Sequence, residues 1–187
     1  QTVEGGIEKV TIEYHGEAGD LQTSPITLAA VKGLLAPILE ETVNYVNAPS
    51  IAKERGIEVN EAKSSDAGNF SSLISIKVKA GGQTKVVAGS IFNKKEPRFV
   101  EIDGMSLEVV PEGHMLYLFN EDKPGVIGGL GQLLAKNQIN ISRMQLGRER
   151  SGGKAISVVG IDSVVSPEVL KELKSLPHVL SVKRVKL

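Results

Sequence analysis

The stretch from His114 to Val185 constrains this chain most, because its hydrophobic pattern divides into six segments in a fixed order of periods. His114–Phe119 reads as a strand. Gly125–Lys136 carries Val126, Ile127, Leu130, Leu133 and Leu134 at helical spacing. Ile139–Leu146 and Lys154–Asp162 read as strands. Pro167–Ser175 reads as a helix with Ser166 at its N-cap, and Val179–Val185 as a last strand. The order βαββαβ predicts a ferredoxin-like split βαβ layer of helices on an antiparallel sheet.

Ahead of it, Pro111-Glu112-Gly113 is the linker candidate, so the reading is α+β in two domains, 1–111 and 112–187. In the first, Val10, Ile12 and Tyr14 alternate with polar residues between Ile7 and His15, as in a half-buried strand. Ser24 is the expected N-cap, with Pro25 at N1, of a helix through Ile26–Leu39 that Pro37 ends or kinks. A short helix over Ser50–Arg55 stops at Gly56. Strands follow at Ile57–Ala62, Ser72–Ala80 and Thr84–Phe92, the last two joined across Gly81-Gly82. Another pair, Arg98–Ile102 and Ser106–Val110, flanks Asp103-Gly104.

Composition excludes several function classes. There is no cysteine, so disulfides, thiolate metal sites and cysteine nucleophiles are absent. Lysine plus arginine balances aspartate plus glutamate at 22 each, which gives no signal for a nucleic-acid partner. The balance conceals +5 from Gly113 onward against −5 before it. An RNA-binding module of the same topology needs stacking aromatics on its central strands, and Ala155–Gly160 has none. No apolar run approaches the roughly 18 residues of a membrane span, and the N-terminus lacks a signal-peptide pattern, so a cytoplasmic location is expected. The chain starts at Gln1 rather than Met, as a fragment or processed product would. His15, His114 and His178 lack metal-ligand spacing. Gly129-Leu130-Gly131 is followed by Leu134 where a dinucleotide fingerprint needs glycine, so these glycines read as helix-packing positions. With no nucleophile–base pair or cofactor loop, no catalytic residue, metal or cofactor is expected in this chain.

The chemistry concentrates at Asn120-Glu121-Asp122-Lys123-Pro124-Gly125-Val126-Ile127. Pro124 and Gly125 force a tight entry into the first helix, whose leading N–H groups can bind a carboxylate. Asp122 can pair with an ammonium group, and Asn120 and Asn140 offer donors and acceptors. Asn140, at the start of the second strand, is expected beside the first strand at the same end of the sheet. Together these groups suit a zwitterion that carries a hydroxyl.

This segment with Asn140 resembles the effector-binding signature of ACT domains, most closely those at the C-terminus of D-3-phosphoglycerate dehydrogenases, over residues 113–187. Tyr45-Val46-Asn47-Ala48-Pro49-Ser50-Ile51-Ala52-Lys53-Glu54-Arg55-Gly56 resembles the intervening domain of the long-form enzymes. The resemblance implies a regulatory fragment without catalysis of its own, from a parent that uses NAD. It implies L-serine bound between self-associated ACT domains, with Asp122 on the ammonium, Asn120 and the paired subunit's Asn140 as further contacts, and backbone at Val126 and Ile127 on the carboxylate. Asn120 stands where relatives are expected to carry His or Tyr. The resemblance also implies an anion site in the intervening domain, for which Lys94, Lys95 and Arg98 are candidates. Met105, Ser106 and Val110 stand near where Arg and His would be expected for that site. The regulatory chain of an iron–sulfur L-serine dehydratase and a structural oligomerisation module remain open as alternatives.

Overall fold

The computed structural model describes residues 6–39 and 42–187; Gln1 lies outside them. The chain divides into two compact units, Gln1–Asp103 and Gly104–Leu187.

Unit 1 runs β1 (Ile7–Gly16), a 3-10 turn at Glu17–Asp20, α1 (Ser24–Leu35), α2 (Ala48–Glu54), β2 (Glu58–Ser64), β3 (Ser72–Ala80), β4 (Gln83–Phe92) and β5 (Glu96–Ile102). Its strands lie in the order β2-β1-β3-β4-β5. β1 and β2 are parallel, with Val10 opposite Val59 and Ile12 opposite Glu61, because α1 and α2 carry the chain back before β2 begins. The remaining neighbours are antiparallel. Val10, Ile12 and Tyr14 face inward as their alternation predicts, packing with Ile26, Ala30 and Leu34 of α1 and with Ile74 and Ile76 of β3. α1 stops at Leu35, short of Pro37, whose missing N–H cannot continue the ladder.

The start of α1 differs from expectation. Ser24 is already helical, and Thr23 is the residue before it. The Thr23 hydroxyl caps no backbone N–H; it donates to Glu61 Oε2 at 2.8 Å. Thr27 donates to the other oxygen of Glu61, and the buried Tyr14 hydroxyl lies 2.6 Å from Thr27 Oγ1. A carboxylate on β2 thus clamps the first turn of α1, a tertiary partner displacing the local cap. The two hydroxyl donors, Thr27 foremost, hold the Glu61 carboxyl below its usual range, while burial raises the Tyr14 phenol. Because the folded pKa of Glu61 is depressed, its contribution is full above the unfolded value of about 4.3 and is lost as pH falls through the folded value. Glu61→Gln places an amide N–H₂ against a hydroxyl donor and should cost about 1 kcal/mol at neutral pH. Parallel urea titrations at pH 7 and pH 3 should show the gap between variant and wild type shrinking at the lower pH.

Unit 2 runs β6 (Met105–Val109), β7 (His114–Glu121), α3 (Val126–Lys136), β8 (Ile141–Arg148), β9 (Lys154–Ile161), α4 (Pro167–Lys174) and β10 (Val179–Lys186). The last four strands and two helices form the expected βαββαβ unit, ordered β10-β7-β9-β8. Leu116, Leu118, Val159, Ile161 and Val182 line the sheet face that packs against Leu130 and Leu134 of α3 and Val169 and Leu173 of α4. Ser166 caps α4 as predicted, accepting from Val169 N at 3.3 Å. The glycines of α3, read from the sequence as helix-packing positions, are not required by packing: a Cβ on Gly129 would lie 3.6 Å from Leu176, an ordinary van der Waals contact, and one on Gly128 or Gly131 would meet nothing within 4 Å. The division between units falls at Asp103–Gly104, ahead of the Pro111–Gly113 segment. The reason lies in β6, which packs on β8 at Gly147. A Cβ on Gly147 would stand 3.0 Å from the Ser106 carbonyl oxygen and 3.3 Å from Met105 Cβ.

Candidate functional site

The junction singled out in the sequence lies at one end of the unit 2 sheet. β7 extends two residues beyond the expected Phe119, so Asn120 is a strand residue rather than a loop residue. It pairs with Ala155 of β9 and Val179 of β10. Its side chain is buried: Nδ2 donates to the Glu121 carbonyl at 2.7 Å, and Oδ1 accepts from the buried Ser157 hydroxyl at 3.4 Å. Glu121 is braced by His178, just ahead of β10, its N–H donating to the His178 carbonyl and its carboxylate meeting His178 Nδ1, both at 2.9 Å.

Asp122 bridges to the β8–β9 hairpin. Its N–H donates to Gly153 O at 2.8 Å, and its Oδ2 accepts from Gly152 N at 3.1 Å and from Arg148 Nη1 at 3.2 Å. Both side-chain bonds use Oδ2. Gly125 then turns the chain into α3 with φ 96°, a left-handed conformation that a Cβ disfavours. No side chain among the described residues caps α3, and its first turn holds no acidic residue, so the partial positive charge of its N-terminus is not offset locally. Val126 is buried in the core, whereas Ile127, which follows, is exposed.

Asn140 is not where the sequence placed it. β8 is separated from β7 by β9, and Asn140 precedes Ile141, which pairs with Ile161 and through it aligns with His114. It therefore lies at the end of the sheet opposite Asn120 and Asp122. The cause is the crossover: α3 runs back along the sheet, so parallel strands β7 and β8 begin at the same end and the loop after β7 emerges at the other. Asn140 Nδ2 donates to Asp162 Oδ2 at 2.7 Å, and Asp162 N returns a bond to the Asn140 carbonyl.

In unit 1, Lys94 and Lys95 are exposed in the β4–β5 turn, where Asn93 and Lys94 take positive φ. Arg98 reaches back to Glu96 at 2.7 Å, so a carboxylate already meets the guanidinium proposed for an anion. Among the described residues there is no cluster of three metal-ligating side chains and no helix long and apolar enough to cross a membrane. The contacts that sequence reasoning missed are Arg148, Gly152 and Ser157. Arg148 lies 26 residues from Asp122, and no local pattern links them.

The second unit is a two-layer βαββαβ domain with an uncapped first helix beside a strand-end carboxylate, and residues 114–178 match the ACT domain family. Residues 1–103 match the D-3-phosphoglycerate dehydrogenase intervening domain, and the chain belongs to that family. It is 38% identical over 187 residues to D-3-phosphoglycerate dehydrogenase of Bacillus subtilis (strain 168), covering 100% of this chain and 36% of that protein. The Archaeoglobus fulgidus enzyme is 36% identical over 185 residues, 98% of this chain and 35% of the relative. That of Synechocystis sp. (strain PCC 6803) is 34% identical over 188 residues, 100% and 34%. The chain thus spans about a third of the length of the curated relatives it matches, and what it holds is their regulatory part, an intervening domain followed by an ACT domain. These matches favour the dehydrogenase over the serine dehydratase chain that the sequence left open.

Proposed function

We propose that this chain is the serine-sensing part of a cytoplasmic, NAD-dependent D-3-phosphoglycerate dehydrogenase, and that L-serine binds its paired ACT domains to give feedback control. The observation that carries the reading is the pairing, at one end of the sheet, of an uncapped α3 N-terminus with the Asp122 carboxylate, whose Oδ1 carries neither of the two side-chain bonds. The helix N–H groups at Val126 and Ile127 suit a carboxylate, and Asp122 suits an ammonium group. Asn120 would act from beneath, through its link to Ser157. Asn140 serves this site only from a second copy. β8 is an edge strand, and a two-fold pairing along it sets the two edges antiparallel, which carries the partner's Asn140 toward the Asn120 end. Serine bound between two copies would favour one arrangement of subunits; couplings of this kind are typically about 1–3 kcal/mol. NAD and 3-phosphoglycerate belong to the reading of the whole protein. The glycines of α3 offer no dinucleotide loop, since Leu134 stands where the third glycine of that fingerprint would be needed.

Calorimetric titration with L-serine tests the reading. Saturable heat is expected, and Asp122→Ala should weaken binding at least about tenfold by leaving the ammonium group unpaired. Absence of heat with serine, glycine and alanine alike would reject the sensor and leave a structural association module.

A further inference from the structure

The Asp122 carboxylate is already occupied by a cation of the chain itself. Arg148, the last residue of β8, places Nη1 3.2 Å from Asp122 Oδ2, while Gly152 N meets the same oxygen at 3.1 Å. Independently of the guanidinium, the backbone bond from Asp122 N to Gly153 O, at 2.8 Å, ties the residue to this hairpin and Gly152 N holds its carboxylate. Arg148 is therefore not needed to position Asp122. Its side chain is 62% exposed, against 31% for Asp122, so it can leave into water at small cost.

We propose that Arg148 is a built-in competitor of the effector: its guanidinium neutralises Asp122 in the ligand-free chain, and the ammonium group of an α-amino acid binds by displacing it. The inference rests on the effector reading above and deepens it. An ammonium group arriving at Oδ1 meets a carboxylate whose charge is already compensated, with a second positive charge a few ångströms away. Its attraction is recovered only when Arg148 swings out. The effector's own carboxylate has the α3 N–H groups and does not require the guanidinium. Affinity is then set by the difference between two ion pairs rather than by one, which keeps the sensor weak enough to respond to changing concentration. The competition selects for a charged amino group, so an N-acetylated amino acid lacks the means to open the pair.

Titration of L-serine into the chain and two variants decides the matter. Arg148→Gln keeps length and polarity without the charge and should bind about two- to fivefold more tightly, the range spanned by exposed ion pairs. Arg148→Lys keeps the charge and should stay within about twofold of wild type. Unchanged or weaker binding by Arg148→Gln, with wild type binding normally, overturns the competitor and leaves the sensor reading intact. Binding by Arg148→Gln alone supports the competitor in its strongest form. Absence of binding by wild type and both variants removes the effector reading and this inference together. N-acetyl-L-serine should not bind wild type or Arg148→Lys; comparable affinity for it in wild type would also overturn the proposal.

Discussion

Gly16→Ala is expected to destabilise unit 1 by about 2–5 kcal/mol, combining backbone strain with overpacking. Gly16 ends β1 with φ +59°, a conformation that L side chains rarely adopt. A Cβ there would sit 2.4 Å from the Ser71 carbonyl oxygen and 2.9 Å from Ala67 Cβ. Neither neighbour is the far end of a flexible side chain. The loop before β3 would have to retreat, and the bond from Glu17 N to Ser71 O, at 3.0 Å, would go with it. Gly68→Ala is the matched control. Its φ is +60°, yet nothing lies within 4 Å of the added carbon, so only the conformational cost of about 1 kcal/mol should appear. Urea denaturation followed by circular dichroism should separate the two substitutions; equal losses would show that the close approach at Ser71 is not what requires glycine.

Leu130→Ala should cost unit 2 about 2–5 kcal/mol. Leu130 is fully buried on α3 and belongs to the cluster with Leu116, Leu118, Val159 and Val182. Alanine is at least as good a helix former, so the loss reports the cavity and not the helix. Ile127, three residues earlier on the same helix, is 40% exposed, and its truncation should cost under about 1 kcal/mol. The contrast bears on function, because the α3 N-terminus keeps its place only while α3 is docked on the sheet. A folded Leu130→Ala chain should therefore also bind serine less tightly, whereas Ile127→Ala should keep the fold whatever it does to the ligand. Comparable denaturation midpoints for the two variants would contradict the assigned packing of α3.

Much of the architecture was legible because it is written in short-range periodicity. The six segments of the βαββαβ unit are found within two residues of their expected bounds, since apolar residues at spacings of two and of three to four state which face is buried. Gly56 and Gly125 adopt the positive φ that their positions next to helices require. The strand-end motif was legible as well, since Asp122, Pro124 and Gly125 lie within four residues and need no tertiary contact to be close.

What could not be read locally are the contacts that depend on which strand lies beside which. The parallel pairing of β1 with β2 brings Glu61 onto Thr23 and Thr27, and so replaces the expected Ser24 cap with a clamp from another element. β6 continues the pattern of the residues before it, yet its packing on Gly147 assigns it to the second unit. Asn140 shares a motif with Asn120 but stands at the other end of the sheet. Periodicity, glycine placement and the order of elements determined the two folds and the position of the strand-end loop at Asp122–Gly125. Only the tertiary structure decided that Asp122 is paired with Arg148 and that Asn140 is out of its reach within one chain. A hydrophobic pattern encodes burial along one element, whereas partner choice between elements emerges from the crossover that α3 makes and from the pairing of β9 between β7 and β8.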